Sequence, residues 1–188
     1  QGLFPPGMVP ETVFPPDDRV RVPSTTTYPW STICKLFLTA ADGTHWMCSG
    51  AIIGCSGHGY HVLTAGHCVY MHDNGGWIND VEVIPGYDDG YMPYYKASWT
   101  TIRTYTGWTA DRDHRHDWAV ITLDRNVGDY TGWMGRMTAD PSNSVYTGIL
   151  NTAGYPADLL GGEGMYWDAD YGRTANEYNH WYYMDTYG

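Results

Sequence analysis

The sequence has no apolar run near the roughly 20 residues that a membrane-spanning helix needs, so a membrane is not among its expected partners. It is also poor in cations. Lys and Arg number 10 against 21 Asp and Glu, a formal net charge of -11 over 188 residues. A surface of that sign repels phosphate backbones, which sets nucleic acid aside. No internal repeat and no long 3.6-residue apolar stripe is visible, which argues against a helical bundle or solenoid. Apolar residues are not scarce: 43% are hydrophobic and 15% aromatic. That excludes a disordered chain and supplies a sizeable core.

Cysteines are few and clustered. Cys34, Cys48, Cys55 and Cys68 fall within one short window, together with His45, His58, His61 and His67. No two of these cysteines stand at the C-x₂₋₄-C spacing typical of zinc sites, so disulfides are favoured over a metal centre. A chain that begins at Gln1 rather than Met is expected to have lost a leader, and with disulfides this points to export. No cofactor is expected.

Residues 1–23 hold six of the eleven prolines and read as an extended arm, with the compact part beginning near Thr25. Beyond it, short apolar runs at Ile33–Leu38, Met47–Ile53, Tyr60–Leu63, Val81–Ile84 and Trp118–Leu123 alternate with glycine-rich turns. That spacing predicts an all-β fold, a barrel or sandwich. One helical turn is expected at Ala65–Cys68.

Two segments carry chemistry. In Val62-Leu-Thr-Ala-Gly-His-Cys68 a strand runs into a tight turn that presents His67. In Asp117-Trp-Ala-Val-Ile-Thr-Leu123 an aspartate stands immediately before a strand of alternating apolar residues. A carboxylate so placed accepts the imidazole Nδ1–H, fixes the tautomer and stabilises the imidazolium, which a general base requires. Asp111, Asp113 and Asp124 compete for the role, but only Asp117 abuts the strand. The nucleophile is missing. Ser56, in Gly54-Cys-Ser-Gly57, reads as a turn residue, and beyond Asp117 the only serines are Ser142 and Ser144, without flanking glycines. His114 and His116 read as loop histidines, and Asp73–Gly76 and Asp88–Gly90 as turns rather than calcium loops. The aromatic run Tyr178–Tyr183 reads as packing.

These motifs resemble the glutamyl endopeptidase family of chymotrypsin-fold serine proteases. The likeness rests on Asp17–Val22, Thr27-Tyr-Pro-Trp30, Thr64-Ala-Gly-His-Cys68, Asp117-Trp-Ala-Val-Ile121, Gly154-Tyr-Pro156 and Tyr183–Gly188. The last looks like the lead into that family's Gly-Gln-Ser-Gly-Ser nucleophile motif. The resemblance implies an all-β, chymotrypsin-like double β-barrel whose second barrel is incomplete in this chain. Residues 1–24 would be the arm, 25–127 the first barrel and 128–188 the first part of the second. It implies an extracellular endopeptidase that cleaves protein or peptide substrates after Glu or Asp. His67 would be the general base, Asp117 its orienting carboxylate and Thr186 a wall of the substrate pocket. The catalytic serine would come from a C-terminal segment or a second chain. The family's bridge beside the histidine implies Cys48–Cys68, which leaves Cys34–Cys55 as the second pair. A secreted, non-catalytic protease-like binding module is the alternative.

Overall fold

The structure, a computed structural model, describes residues 13, 15–137, 140, 142–175, 180, 181, 184 and 185. Strand β1 (Val20–Arg21) is followed by β2 (Ile33–Thr39), β3 (His45–Cys55) and β4 (His58–Thr64). After a 3₁₀ turn at Gly66–Cys68 come the short β5 (Tyr70–Met71) and β6 (Gly76–Trp77), then β7 (Asp80–Pro85) and β8 (Trp99–Thr104). Helix α1 (Thr106–Asp111) leads to β9 (Ala119–Leu123), and α2 (Gly128–Thr131) to β10 (Ile149–Gly154) and β11 (Tyr166–Tyr171). The two-residue strands β12 (Thr174–Ala175) and β13 (His180–Trp181) are the last elements among the described residues.

The main sheet is antiparallel with strand order β7-β2-β3-β4-β9-β8. It closes on itself. Val83 of β7 exchanges backbone bonds with Ala97, just before β8, at 3.1 and 2.8 Å. Closure leaves no edge open at that seam, which is how a barrel avoids unpaired strands. Alternation fills the interior: Leu36, Leu38, Ile52, Val62, Val81, Val83, Ala119 and Ile121 are all buried. The turn from β3 to β4 is made by Ser56 (φ 52) and Gly57 (φ 81). Two successive left-handed residues are what a two-residue hairpin requires, so Ser56 serves the turn.

Strand β2 is buried on both faces, and this organises the rest. Cys34, Leu36 and Leu38 point into the barrel, while Ile33 and Phe37 join a second core with Val22, Ile84, Tyr87, Tyr155 and Met165. That second core lies against an antiparallel three-stranded sheet, β1-β11-β10. Between the two, Lys35 is fully buried. Its ammonium bonds Glu163 Oε1 at 2.5 Å and lies 4.5 and 4.4 Å from the ring centroids of Phe37 and Tyr87. The residue pair Val20–Arg21, from the proline-rich arm, pairs with Trp167 and Tyr166. The fold is all-β: among the described residues a closed six-stranded barrel, the three-stranded sheet β1-β11-β10 and the two-stranded sheets β5-β6 and β12-β13.

The expected Cys34–Cys55 bond does not form: both are free thiols, Cys34 buried and Cys55 exposed. Register explains this. Cys34 stands opposite Gly50, and Cys55 lies five residues further along β3. At about 3.3 Å per residue that is roughly 16 Å, far beyond the ~7 Å Cα separation a disulfide tolerates.

Candidate active site

The site is assembled where β4 ends and β9 begins, neighbours in the sheet with Thr64 opposite Ala119. After Thr64 the chain turns through Ala65 (φ -73, ψ 151) into the 3₁₀ turn that carries His67. The Cys48–Cys68 disulfide, with Cα atoms 6.2 Å apart, pins this turn to the middle of β3. Thr64 Oγ1 donates to Ser49 O at 2.8 Å from the same neighbourhood.

Asp117 takes hold of His67 twice. The His67 backbone N–H donates to Oδ1 at 2.7 Å, and the ring Nδ1 lies 2.9 Å from Oδ2. An Nδ1–H bonded to a carboxylate leaves the lone pair on Nε2, the tautomer a general base needs. Burial alone would raise the Asp117 carboxyl. The His67 side-chain bond, the imidazole charge and the His67 backbone bond outweigh it and hold the group below the ordinary carboxylate range.

Close packing fixes this pair, through the turn glycine and through Trp108 and Thr104, two residues not anticipated from the sequence. Gly66 is required by close approach: an added Cβ would stand 3.0 Å from Asp117 Oδ1, 3.0 Å from Trp108 Cδ1 and 3.1 Å from Thr104 Oγ1. Trp108 is buried and meets the His67 ring edge-on at 6.3 Å, while its indole N–H donates to Tyr70 O at 3.0 Å. Thr104 Oγ1 donates to Trp118 O at 2.7 Å and so fixes the backbone next to Asp117. The only hint was a Trp nine residues before Asp117, whose contact depends on the fold of α1.

The competing acids serve elsewhere. Asp113 caps the turn before Asp117, accepting from Arg115 N at 3.0 Å. Asp124 Oδ1 accepts from Ser98 N at 3.2 Å. His116 stacks on Tyr105 and its Nδ1 stands 3.5 Å from Asp113. Ser142 Oγ donates to Asp140 at 2.6 Å, in a turn that does not line the cleft. Thr186 lies outside the described residues.

His67 and Asp117 open onto a cleft of ≈ 590 Å³, bounded by Ser49, Trp118, Tyr155, Trp167 and Asp185 among others. Ser49 Oγ accepts from Tyr155 N at 2.8 Å, which ties β3 to the residue after β10 where both line the cleft. Among the described residues, two groups bring three metal-capable atoms together. In Cys48–His67–Cys68 both sulfurs are committed to the disulfide, so they are not thiolate ligands. The other is Asp18–Asp168–Asp185. There Asp168 accepts from Asp185 N at 2.7 Å and Asp185 from Asp18 N at 3.3 Å. The charges of Asp168, then burial, then Asp185 raise the Asp18 carboxyl above its ordinary value.

Comparison with known proteins agrees with this geometry. The Trypsin family profile matches residues 21–164. An extracellular metalloprotease of Bacillus subtilis is 32% identical over 181 residues, 95% of this chain and 55% of that protein. A glutamyl endopeptidase of Bacillus licheniformis is 28% identical over 179 residues, again 95% of this chain and 52% of that one. The chain thus spans about half the length of the curated relatives it matches. A solved Glu endopeptidase, in complex with MPD, superposes with a TM-score of 0.76 at 26% identity, covering 94% of this chain and 78% of that one. The protease Anisep of Arthrobacter nicotinovorans shares the fold, with a TM-score of 0.67 at 24% identity.

Proposed function

The chain belongs to the trypsin family, in its glutamyl-endopeptidase-like branch, and from that premise we propose that it is the His–Asp part of a secreted serine endopeptidase. His67 is the general base, and Asp117 orients it and stabilises the imidazolium. The observation that carries the reading is the double grip of Asp117 on His67, at 2.7 and 2.9 Å. The Nδ1 bond orients the ring, and the backbone bond ties the turn, already stapled by Cys48–Cys68, to the same carboxylate.

The nucleophilic serine comes from a C-terminal segment or companion chain. Supporting this, Ser142 and Ser144 are the only serines after Asp117, and the described part of the second sheet has three strands. In this reading residues 25–127 are the first barrel and 128–188 the first part of the second, with 1–24 as the arm. Extracellular action is supported by the disulfide and by the name of the Bacillus subtilis relative, an extracellular metalloprotease. That name also attaches a metal to that protein. In this chain the sulfurs next to His67 are oxidised, so the residues at the catalytic pair do not fit a metal centre.

Cleavage after Glu or Asp is supported by the glutamyl endopeptidase relatives. Asp168 and Asp185 line the same cleft and oppose an acidic substrate, so the donors that overcome them, Thr186 among them, must be local. The test is to co-produce the chain with a polypeptide carrying the family's Gly-x-Ser-Gly motif and to profile a peptide library. Cleavage after Glu, abolished by His67→Ala, is expected. Activity should rise with pH as the imidazole, ordinarily titrating near 6.5, becomes neutral. Cleavage after Lys or Arg would show that Asp168 and Asp185 govern specificity and would overturn the acidic assignment. No activity with any serine-bearing complement would make the chain a binding module.

A further inference from the structure

Cys48, His67 and Cys68 each offer one ligand atom, and the three atoms all lie within 4.8 Å of one another. The sulfurs are excluded as metal ligands only while they are bonded to each other. Cutting that bond leaves two thiolates and an imidazole, a nitrogen–sulfur donor set that suits zinc. All three residues line the cleft of His67 and Asp117, which gives a metal its path in and leaves a fourth position open to water.

The geometry suits that ion. A tetrahedral zinc, with bonds of about 2.3 Å to sulfur and about 2.0 Å to nitrogen, holds its ligand atoms roughly 3.5–3.8 Å apart. The freed sulfurs part to that spacing by side-chain rotation, since their Cα atoms are 6.2 Å apart. The imidazole has to close in by no more than about 1 Å. Asp117 supplies the outer contact. With Nδ1 held 2.9 Å from a carboxylate oxygen, the lone pair left for a metal is on Nε2, the arrangement that orients zinc-bound imidazoles. Nor does the turn hang on the disulfide alone. The bonds from His67 N to Asp117 Oδ1 at 2.7 Å, from Thr64 Oγ1 to Ser49 O at 2.8 Å and from Val69 N to Gly66 O at 3.0 Å do not involve the sulfurs.

We propose that Cys48–Cys68 is a redox gate on His67: once it is reduced, Cys48 Sγ, Cys68 Sγ and His67 Nε2 bind one zinc ion. A phosphine and water suffice for the first step. The S–S bond breaks, each sulfur takes a proton from the water, and the phosphine, giving up two electrons, leaves as its oxide. A dithiol does the same and leaves as its own disulfide. Zinc then displaces the two thiol protons. The metal takes the Nε2 lone pair, which is the one a general base uses, so zinc binding and base catalysis exclude each other. The silencing rests on the proposed role of His67 as base; the metal site does not.

Cobalt(II) is the first probe, because a thiolate bound to it gives a charge-transfer band in the near ultraviolet. The complete chain is used with Cys55→Ser, which removes the exposed free thiol and leaves Cys34 buried. After reduction with tris(carboxyethyl)phosphine, one cobalt per chain should bind and zinc should displace it. The oxidised chain should show no band. Cys48→Ser, Cys68→Ser and His67→Ala should each weaken binding by on the order of tenfold or more. Zinc should raise the melting temperature of the reduced chain, as a ligand of the folded state does. Nitrogen-15 spectra should show the His67 Nε2 resonance moved by zinc in the reduced chain and unmoved in the oxidised one. No band after reduction, equal affinity in His67→Ala, an unmoved Nε2, or a melting temperature lowered by zinc, which marks binding to the unfolded chain, would overturn the proposal. None of these readouts requires a nucleophile, so a failure of the endopeptidase reading leaves the metal site standing and removes only the silencing.

Discussion

Replacing Gly66 with alanine tests the packing that holds His67 and Asp117 together. The new methyl group would meet three atoms at 3.0–3.1 Å, closer than ordinary van der Waals contact. None of them is a loose side-chain end. Asp117 Oδ1 accepts the 2.7 Å bond from His67 N, Thr104 Oγ1 donates to Trp118 O at 2.7 Å, and the Trp108 indole donates to Tyr70 O at 3.0 Å. Something must move by a few tenths of an ångström, and each movement stretches a hydrogen bond. Overpacking of this kind costs about 1–3 kcal/mol. Alanine recovers up to about 1 kcal/mol by restricting the unfolded chain, which leaves a net loss of about 1–2 kcal/mol. For a domain of this size the melting temperature should fall by about 2–8 °C. Gly43→Ala is the control: its φ is 85 and nothing lies within 4 Å of its would-be Cβ. It should lose about 1 kcal/mol through backbone strain and leave the site untouched. Calorimetry measures the stability, and a carbon-13 titration of the aspartates reads the site. In Gly66→Ala the Asp117 carboxyl should titrate higher than in wild type, and in Gly43→Ala it should not. If Gly66→Ala melts with wild type and Asp117 titrates unchanged, the close-approach argument is wrong.

Other consequences concern the cysteines and the buried lysine. Native protein should take up one equivalent of iodoacetamide, at the exposed Cys55; burial raises the Cys34 thiol and shields it until the chain unfolds. Replacing Cys48 and Cys68 with alanine should cost about 3 kcal/mol for a loop of this length, read by denaturant unfolding. Removing Glu163 should cost more than replacing Lys35, because Glu163→Gln strands a buried ammonium whereas Lys35→Met removes it. For Glu163→Gln we expect on the order of 2 kcal/mol, discounted from the fully buried case because Glu163 is 40% exposed. The bonds from Lys35 and then Tyr87 hold the Glu163 carboxyl below its ordinary 4.5. Its contribution is therefore present above that value and lost as the pH falls through the lower folded one. Unfolding measured from pH 6 to 3 should show that loss in wild type and less of it in Lys35→Met.

Where sequence alone succeeds here, the signal is local. The five apolar runs correspond to β2, β3, β4, β7 and β9 because barrel strands alternate inward and outward over short distances. The His67 turn was readable because its glycine and cysteine are adjacent in sequence. Strand β8, Trp99–Thr104, was invisible: three of its six residues are threonines and it packs mainly through pairing with β9. Long-range register was equally hidden. It decides that Val20–Arg21 of the arm joins β11, that Cys34 and Cys55 lie far apart, and that Asp18 meets Asp168 and Asp185 across some 150 positions. The grip of Asp117 on the His67 backbone belongs to the same class, since no spacing rule specifies which carboxylate oxygen faces which donor.

The central claim is that Asp117 holds His67 with Nδ1 protonated and Nε2 available as a base. Nitrogen-15 spectra of the histidine-labelled chain at pH 8 test it directly and need no serine-bearing partner. The claim predicts a His67 Nδ1–H that is hydrogen-bonded and slow to exchange, an unprotonated Nε2, and loss of this single tautomer in Asp117→Asn. A His67 protonated mainly at Nε2, or a tautomer indifferent to Asp117→Asn, would contradict it.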